Sequence, residues 1–259
     1  MNLNKNMPIL VFDSGVGGIS VLKELVKIMP HEDFIFFGDS KNSPYGTKSE
    51  EEVRELTINA VKHYLDQGIK GCAIACNTAT SASVSEMREL FPELPLVGIE
   101  PAVKPAALNN PGGRVLILAT PVTINGAKLH RQMETYKDVA TLIPLACPGL
   151  MEFIEQGKTD DPELIAYLKN LLKEYVEHPV DAFLTGCTHY PFVAKQIQSV
   201  LGENVVHYDG ANGTARELKR RLNEKNLLKE TGEGSVHFYN SDPSPAKISQ
   251  CEMLFNRDI

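Results

Sequence analysis

The chain has 259 residues, of which 33 are Asp or Glu and 26 are Lys or Arg, so its formal net charge is −7. A hydrophobic content of 42% and a charged content of 23% are typical of a globular protein and exclude a disordered chain. A pI near 5.6 without a Lys/Arg cluster argues against a nucleic-acid partner, and the lack of any apolar run of about 17 residues argues against a membrane span.

The N-terminal residues have no apolar core, so they do not resemble a secretory signal, and the expected compartment is the cytoplasm. An odd number of widely spread cysteines fits that compartment, since it favours free thiols over a disulfide framework. These cysteines are Cys72, Cys76, Cys147, Cys187 and Cys251.

Short apolar runs alternate with longer amphipathic ones along the whole chain, a pattern that predicts βα units around a mainly parallel sheet. In the first part of the chain the predicted strands are residues 8–12, 34–37, 72–75 and 96–99. The predicted helices between them are residues 21–28, 51–66 and 83–90.

A second series of elements follows. Its predicted strands are residues 115–118, 182–185 and 205–208, with an edge strand at 236–239. Its predicted helices are residues 126–135, 162–177, 192–201 and 214–223. In the C-terminal tail, Pro243 and Pro245 are expected to break regular structure.

Residues 71–78 and 182–189 share one plan, in which a buried strand ends in Cys and leads through hydroxyl residues into a helix. The repetition predicts an α/β protein of two similar Rossmann-like or flavodoxin-like lobes, with mainly parallel sheets and the active site between them. We expect the first lobe to comprise residues 1–98 and about 208–259, and the second lobe residues 99–207.

The segment from Phe12 to Gly18 holds a candidate binding turn, because ligands of open α/β sheets bind at the carboxyl ends of strands. Asp13 ends the first strand, and the glycines allow backbone N–H groups to approach an anion. The turn is not a dinucleotide fingerprint, since Ser20 stands where the third Gly would be, and it lacks the Gly-Lys-Ser/Thr of a P-loop. Taken alone, a Gly-rich turn of this kind is more often a tight turn without a ligand.

Cys76 and Cys187 both sit at a strand end before a helix, where the helix dipole favours a thiolate. Each could be a buried structural thiol. A zinc site with Cys72 and His189 fits poorly, because Cys72 and Cys76 lie about 13 Å apart along an extended strand. A thiol hydrolase pair of Cys187 and His189 is disfavoured, since a spacing of two rarely brings an imidazole onto a thiol. The third alternative is a pair of thiols flanking one carbon, one accepting a proton and the other delivering one.

Four motifs together identify a family. They are the segments 12–18 (FDSGVGG), 38–46 (GDSKNSPYG), 75–80 (ACNTAT) and 186–191 (GCTHYP). The sequence resembles the aspartate/glutamate racemase superfamily, and within it the glutamate racemases, over roughly residues 8–220. The resemblance implies racemisation of L- and D-glutamate without a cofactor or a metal, a supply of D-glutamate for peptidoglycan, and a homodimer.

The resemblance also implies roles for individual residues. Cys76 and Cys187 match the paired acid/base thiols, assisted by Asp13 and His189 respectively. The residues expected to contact substrate, besides these four, are Ser14, Pro44, Tyr45, Gly46, Asn77, Thr78, Thr120, Thr123 and Thr188. A further catalytic acid is placed at Glu155, with Glu152 as the alternative, while Cys72, Cys147 and Cys251 are expected in the core.

Other functions remain open at this point. One is racemisation of aspartate, or a related thiol-dependent isomerase or decarboxylase reaction. Another is a non-catalytic protein of the periplasmic-binding type, binding an amino acid or phosphate. Pyridoxal phosphate is not expected, because no Lys ends a predicted strand.

Overall fold

A computed structural model describes residues 3–259, which divide into two compact units. One unit comprises the described residues up to Glu100 together with Ala211–Asn256, and the other comprises Pro101–Gly210 with Arg257–Ile259. Among the described residues, every helix is too short or too polar to cross a membrane.

The strands, in chain order, are β1 (Ile9–Asp13), β2 (Asp33–Gly38), β3 (Gly71–Ile74), β4 (Leu96–Gly98), β5 (Arg114–Ala119), β6 (Thr141–Ala146), β7 (Ala182–Thr185), β8 (Val206–Asp209) and β9 (Ser235–Asn240). The helices are α1 (Ile19–Ile28), α2 (Glu50–Gln67), α3 (Asn77–Leu90), α4 (Val103–Asn109), α5 (Pro121–Asn125), α6 (Ala127–Tyr136), α7 (Leu150–Glu155), α8 (Pro162–Leu171), α9 (Lys173–Glu177), α10 (Ala194–Leu201), α11 (Ala211–Glu224) and α12 (Pro245–Asn256). Short 3₁₀ turns occur at Ser40–Asn42, Tyr45–Thr47 and Tyr190–Val193.

Each unit is built on one parallel sheet. The first unit has the strand order β4-β3-β1-β2-β9, and the second has β6-β5-β7-β8. The central strands β1 and β5 are almost wholly apolar and buried, as expected where helices cover both faces of a parallel sheet. The predicted α/β class with two parallel-sheet lobes is therefore confirmed, and β9 lies at the edge of its sheet as predicted.

Several predicted elements were wrong in detail. Pro245 is the first residue of α12, because the first helical turn has no need of the N–H that proline lacks, so the tail is not irregular. The single helix predicted over residues 162–177 is interrupted at Leu172, and that predicted over 192–201 begins as a 3₁₀ turn. Strand β6 was not predicted; it contains Pro144 and is partly exposed, as an edge strand permits.

Candidate active site

The turn after β1 is packed directly against the end of β3. Asp13, the last residue of β1, is fully buried, and its Oδ2 accepts a hydrogen bond from the Gly15 N–H at 3.0 Å. A Cβ at Gly18 would lie 2.6 Å from the Asp13 Cβ and 2.9 Å from the Ala75 Cβ. Glycine is therefore required at position 18, and it brings the β1 turn alongside the residue that precedes Cys76.

Cys76 is the N-cap residue of α3. Its Sγ accepts a hydrogen bond from the Ala79 N–H at 3.4 Å, and the Ser14 Oγ donates to the same sulfur at 3.2 Å. These donors and the positive end of the helix dipole stabilise negative charge on the sulfur. Two hydrogen-bond donors therefore converge on the Cys76 sulfur.

The loop after β2 is organised around a buried carboxylate, Asp39. The Tyr45 hydroxyl donates to its Oδ2 at 2.7 Å, and the Asn42 Nδ2 lies 3.0 Å from both carboxylate oxygens. Burial, together with the hydrogen bond and charge of Asp39, raises the pKa of Tyr45 well above its ordinary value. Tyr45 is therefore a neutral phenol held in one orientation.

Sequence reasoning did not include Asp39 among the site residues. A signal was present, since Asp39 directly follows β2 and Asp13 ends the neighbouring parallel strand. Carboxylates at the ends of adjacent parallel strands lie at the same edge of a sheet.

The other predicted residues of the first unit lie on the same loop or on the first turn of α3. Pro44, which follows a cis peptide bond, is exposed, and Gly46 is half-buried. Asn77 and Thr78 are half-buried, and the Asn77 Oδ1 is a buried acceptor without a hydrogen-bond partner. Asn77 therefore has an acceptor available for a ligand.

The second unit holds a chain of three titratable groups in contact with one another. The Sγ of Cys187, just after β7, lies 3.7 Å from the Nδ1 of His189, and the Nε2 of that ring lies 2.7 Å from the Oε1 of Glu155. Burial opposes the charged form of the ring, but the hydrogen bonds and charges of Cys187 and Glu155 outweigh it and raise the pKa of His189 well above its ordinary value. The ring is therefore held as an imidazolium.

The expectation that a spacing of two keeps His189 away from Cys187 was wrong. The Tyr190 N–H donates to the Cys187 carbonyl at 3.1 Å, so the residues between them form a tight turn rather than an extended segment. In an extended chain, successive side chains alternate across the strand, whereas a turn redirects them. Gly186 directly precedes this turn, and a Cβ there would lie 2.9 Å from the Ala119 Cβ.

Glu155, at the end of α7, makes the contact with His189, whereas Glu152 is exposed. Thr120 caps α5, accepting from the Thr123 N–H at 3.3 Å, and the two hydroxyl oxygens lie 3.1 Å apart. Thr188, which lies between Cys187 and His189 in the sequence, is buried.

The remaining thiols are buried, as predicted. Burial, with the neighbouring charge of Cys187, raises the pKa of Cys147 to about 12, and burial also raises the pKa of Cys72. Cys251 is fully buried on α12. Cys72 and Cys147 therefore stay protonated, and all three thiols pack in the core.

Comparison with known proteins places this geometry in context. The family model described as Asp/Glu/Hydantoin racemase matches residues 9–218. A glutamate racemase of Clostridium botulinum (strain Langeland) is 45% identical over 257 residues, which cover 99% of each chain. The crystal structure of a Francisella tularensis glutamate racemase in complex with D-glutamate matches with a TM-score of 0.81 and 30% identity, covering 98% of this chain and 95% of the other. An Escherichia coli glutamate racemase in complex with L-glutamate and an activator matches with a TM-score of 0.84 and 28% identity, covering 95% and 92%.

Proposed function

Because the chain belongs to the Asp/Glu/hydantoin racemase family, we propose that it interconverts L- and D-glutamate by passing the α-proton between two thiols, Cys76 and Cys187. The enzyme is an isomerase. The observation that carries the two-thiol mechanism is that each strand-end thiol has its own partners, Ser14 at Cys76 and His189 at Cys187.

Inversion at Cα requires a base on one face and an acid on the other, since a single base would return the proton to the face it came from. One sulfur, as thiolate, takes the α-proton and becomes a thiol. The electron pair left on Cα is delocalised into the α-carboxylate, which gains enediolate character. The second sulfur then delivers its own proton to the opposite face and becomes a thiolate, so protons and charge balance without an added cofactor.

The two thiols differ in their surroundings. In the proposal, Cys76 takes the proton from D-glutamate, beside Asp13 and Ser14, and Cys187 takes it from L-glutamate. The imidazolium of His189 donates a hydrogen bond to the Cys187 sulfur, and this stabilises the thiolate after its proton has been delivered. Glu155 keeps the imidazolium charged and oriented.

Substrate binding in the proposal uses neutral polar groups near each thiol. The unpartnered Asn77 Oδ1 is an acceptor suited to the substrate ammonium, and the Tyr45 hydroxyl belongs to the loop that would receive the side-chain carboxylate. The other residues assigned to substrate contacts are Ser14, Pro44, Gly46, Thr78, Thr120, Thr123 and Thr188. A shorter substrate would leave buried donors unpaired, each at a cost of about 1–3 kcal/mol, so glutamate is favoured over aspartate.

We further propose that the enzyme supplies D-glutamate for peptidoglycan, acts in the cytoplasm as a homodimer, and binds no nucleic acid. No disulfide joins two of its cysteines in the part of the chain that the structure describes, which suits a reducing compartment.

The test is to follow the optical rotation of L-glutamate, D-glutamate and L-aspartate solutions with the purified protein. The expected result is loss of rotation with both glutamate enantiomers and a far lower kcat/KM with aspartate. The activity should survive dialysis against a chelator and treatment with borohydride. A preference for aspartate would support an aspartate racemase instead, and binding without loss of rotation would support a non-catalytic binding protein.

A further inference from the structure

The carboxyl end of β9 touches the loop that carries Tyr45. We propose that Asn240 and Ser241 are positioning residues, which fix residues 39–47, here called the substrate loop, for binding of the side-chain carboxylate. What the loop binds rests on the proposed function, but the contacts that hold it belong to the first unit alone.

Ser241 makes two hydrogen bonds at the start of the substrate loop, one to the residue that precedes the loop and one within it. Its backbone N–H donates to the Gly38 carbonyl at 2.9 Å, which extends the pairing of β9 with β2 by one residue. Its Oγ accepts a hydrogen bond from the Lys41 N–H, also at 2.9 Å. The two bonds involve Gly38 and Lys41, which lie on either side of Asp39 in the sequence. The Asp39 carboxylate in turn accepts a hydrogen bond from the Tyr45 hydroxyl.

Asn240 supplies a third contact with a fixed orientation. Its side-chain Oδ1 accepts from the Asp242 N–H at 2.9 Å, so its Nδ2 faces the Ser40 Oγ and donates to it at 3.0 Å. Asn240 is only 8% exposed, so few water molecules could replace these bonds. Because both the oxygen and the nitrogen of this buried amide are hydrogen-bonded, the Asn240 side chain is fixed and in turn fixes Ser40 of the loop.

The contact also reaches the turn beside Cys76. A Cβ at Gly38 would lie 2.8 Å from the Asn240 Nδ2 and 2.4 Å from the Gly15 carbonyl oxygen. The end of β2 is thus packed between Asn240 and the turn that carries Ser14. A shift of the β9 end would therefore displace the substrate loop, which has no space to relax toward that turn.

The kinetic test compares Ser241→Ala and Asn240→Ala with the unaltered enzyme. Losing one hydrogen bond to the loop should raise KM for glutamate about fivefold while kcat stays within about twofold. Ser241→Thr keeps the hydroxyl, so its KM should match that of the unaltered enzyme. The matched control is Ser235→Ala, at the other end of β9, which removes a hydrogen bond to Asp33 and should leave KM unchanged.

Hydrogen exchange tests the positioning without substrate. The Lys41 amide should exchange at least about tenfold faster in Ser241→Ala than in Ser235→Ala, since it loses its acceptor. An unchanged Lys41 amide, or a KM no higher in Ser241→Ala than in Ser235→Ala, would overturn the inference. Absence of any glutamate turnover by the unaltered protein would instead overturn the proposed function, and the exchange result would still decide whether β9 holds the loop.

Discussion

The Nε2 of His189 lies 2.7 Å from the Oε1 of Glu155, while the other ring nitrogen faces the Cys187 sulfur. Only the imidazolium can donate hydrogen bonds in both directions at once. Cys187 and Glu155 together therefore favour the charged ring, and the ring presents a positive N–H to the Cys187 sulfur.

Replacing Glu155 with Gln should lower the pKa of His189 and weaken its hydrogen bond to Cys187. We expect kcat/KM to fall by about 10–100-fold. Because the enantiomers have equal free energies in water, the fall must be the same in both directions. The step at Cys187 should become more rate-limiting, so the isotope effect should rise more with α-deuterated L-glutamate than with α-deuterated D-glutamate.

The control is Glu152→Gln, which changes an exposed carboxylate three residues away on the same helix. Its kinetics should match those of the unaltered enzyme. Equal losses in the two variants would contradict the role given to Glu155.

The free energy of unfolding should depend on pH through the pair formed by His189 and Glu155. The pKa of His189 is raised on folding above its ordinary value of about 6.5. The stabilisation is therefore fully present below about pH 6.5 and is lost as the pH rises through the folded-state pKa. In urea unfolding, the advantage of the unaltered enzyme over Glu155→Gln should be larger at about pH 6 than at about pH 9. A difference that grows with pH would show that the ring is neutral when buried.

Gly18→Ala tests the packing of the β1 turn against β3. The added methyl would meet the Cβ atoms of Asp13 and Ala75, so the backbone must shift, at a cost of about 1–3 kcal/mol in unfolding free energy. Activity should fall as well, because the shift would displace Asp13 and Ala75, and Ala75 directly precedes Cys76. Gly213→Ala, in α11 with open space around it, should instead stabilise by about 0.5–1 kcal/mol and keep full activity. Similar effects of the two changes would refute the packing argument.

Tyr45→Phe removes one donor from the buried carboxylate of Asp39. The free energy of unfolding should drop by about 1–3 kcal/mol, and KM for glutamate should rise. Tyr239→Phe, which alters a tyrosine that is 50% exposed, should change stability by less than about 0.5 kcal/mol. If both variants have the same stability, the Tyr45–Asp39 bond contributes nothing measurable.

The strands that carry the site were predictable because their apolar runs are short and uninterrupted. β1 and β7 are buried along their whole length, and a short apolar run between turn residues is typical of a buried strand in a parallel sheet. β6 escaped prediction because Pro144 and its exposed positions, typical of an edge strand, weaken the pattern. Whether such a segment forms a strand depends on its pairing and burial against distant parts of the chain, which a short stretch of sequence does not show.

It was also predictable that Cys76 and Cys187 each follow a strand, because each buried apolar run stops shortly before the cysteine. The spacing alone did not predict the contact between His189 and Cys187, because it depends on the backbone geometry of a turn, although the family resemblance paired the two residues. Asn240 was missed for a different reason. Its contact with Ser40 joins positions 200 residues apart, and only the pairing of β9 with β2 brings them together.

The most direct measurement of the two-thiol mechanism is α-proton exchange in deuterated water by the Cys76→Ala and Cys187→Ala variants. Neither variant should racemise glutamate. Cys76→Ala should still exchange the α-proton of L-glutamate through Cys187, and Cys187→Ala should exchange that of D-glutamate through Cys76. Exchange of both enantiomers at similar rates in either variant would contradict the assignment of one thiol to each face of Cα.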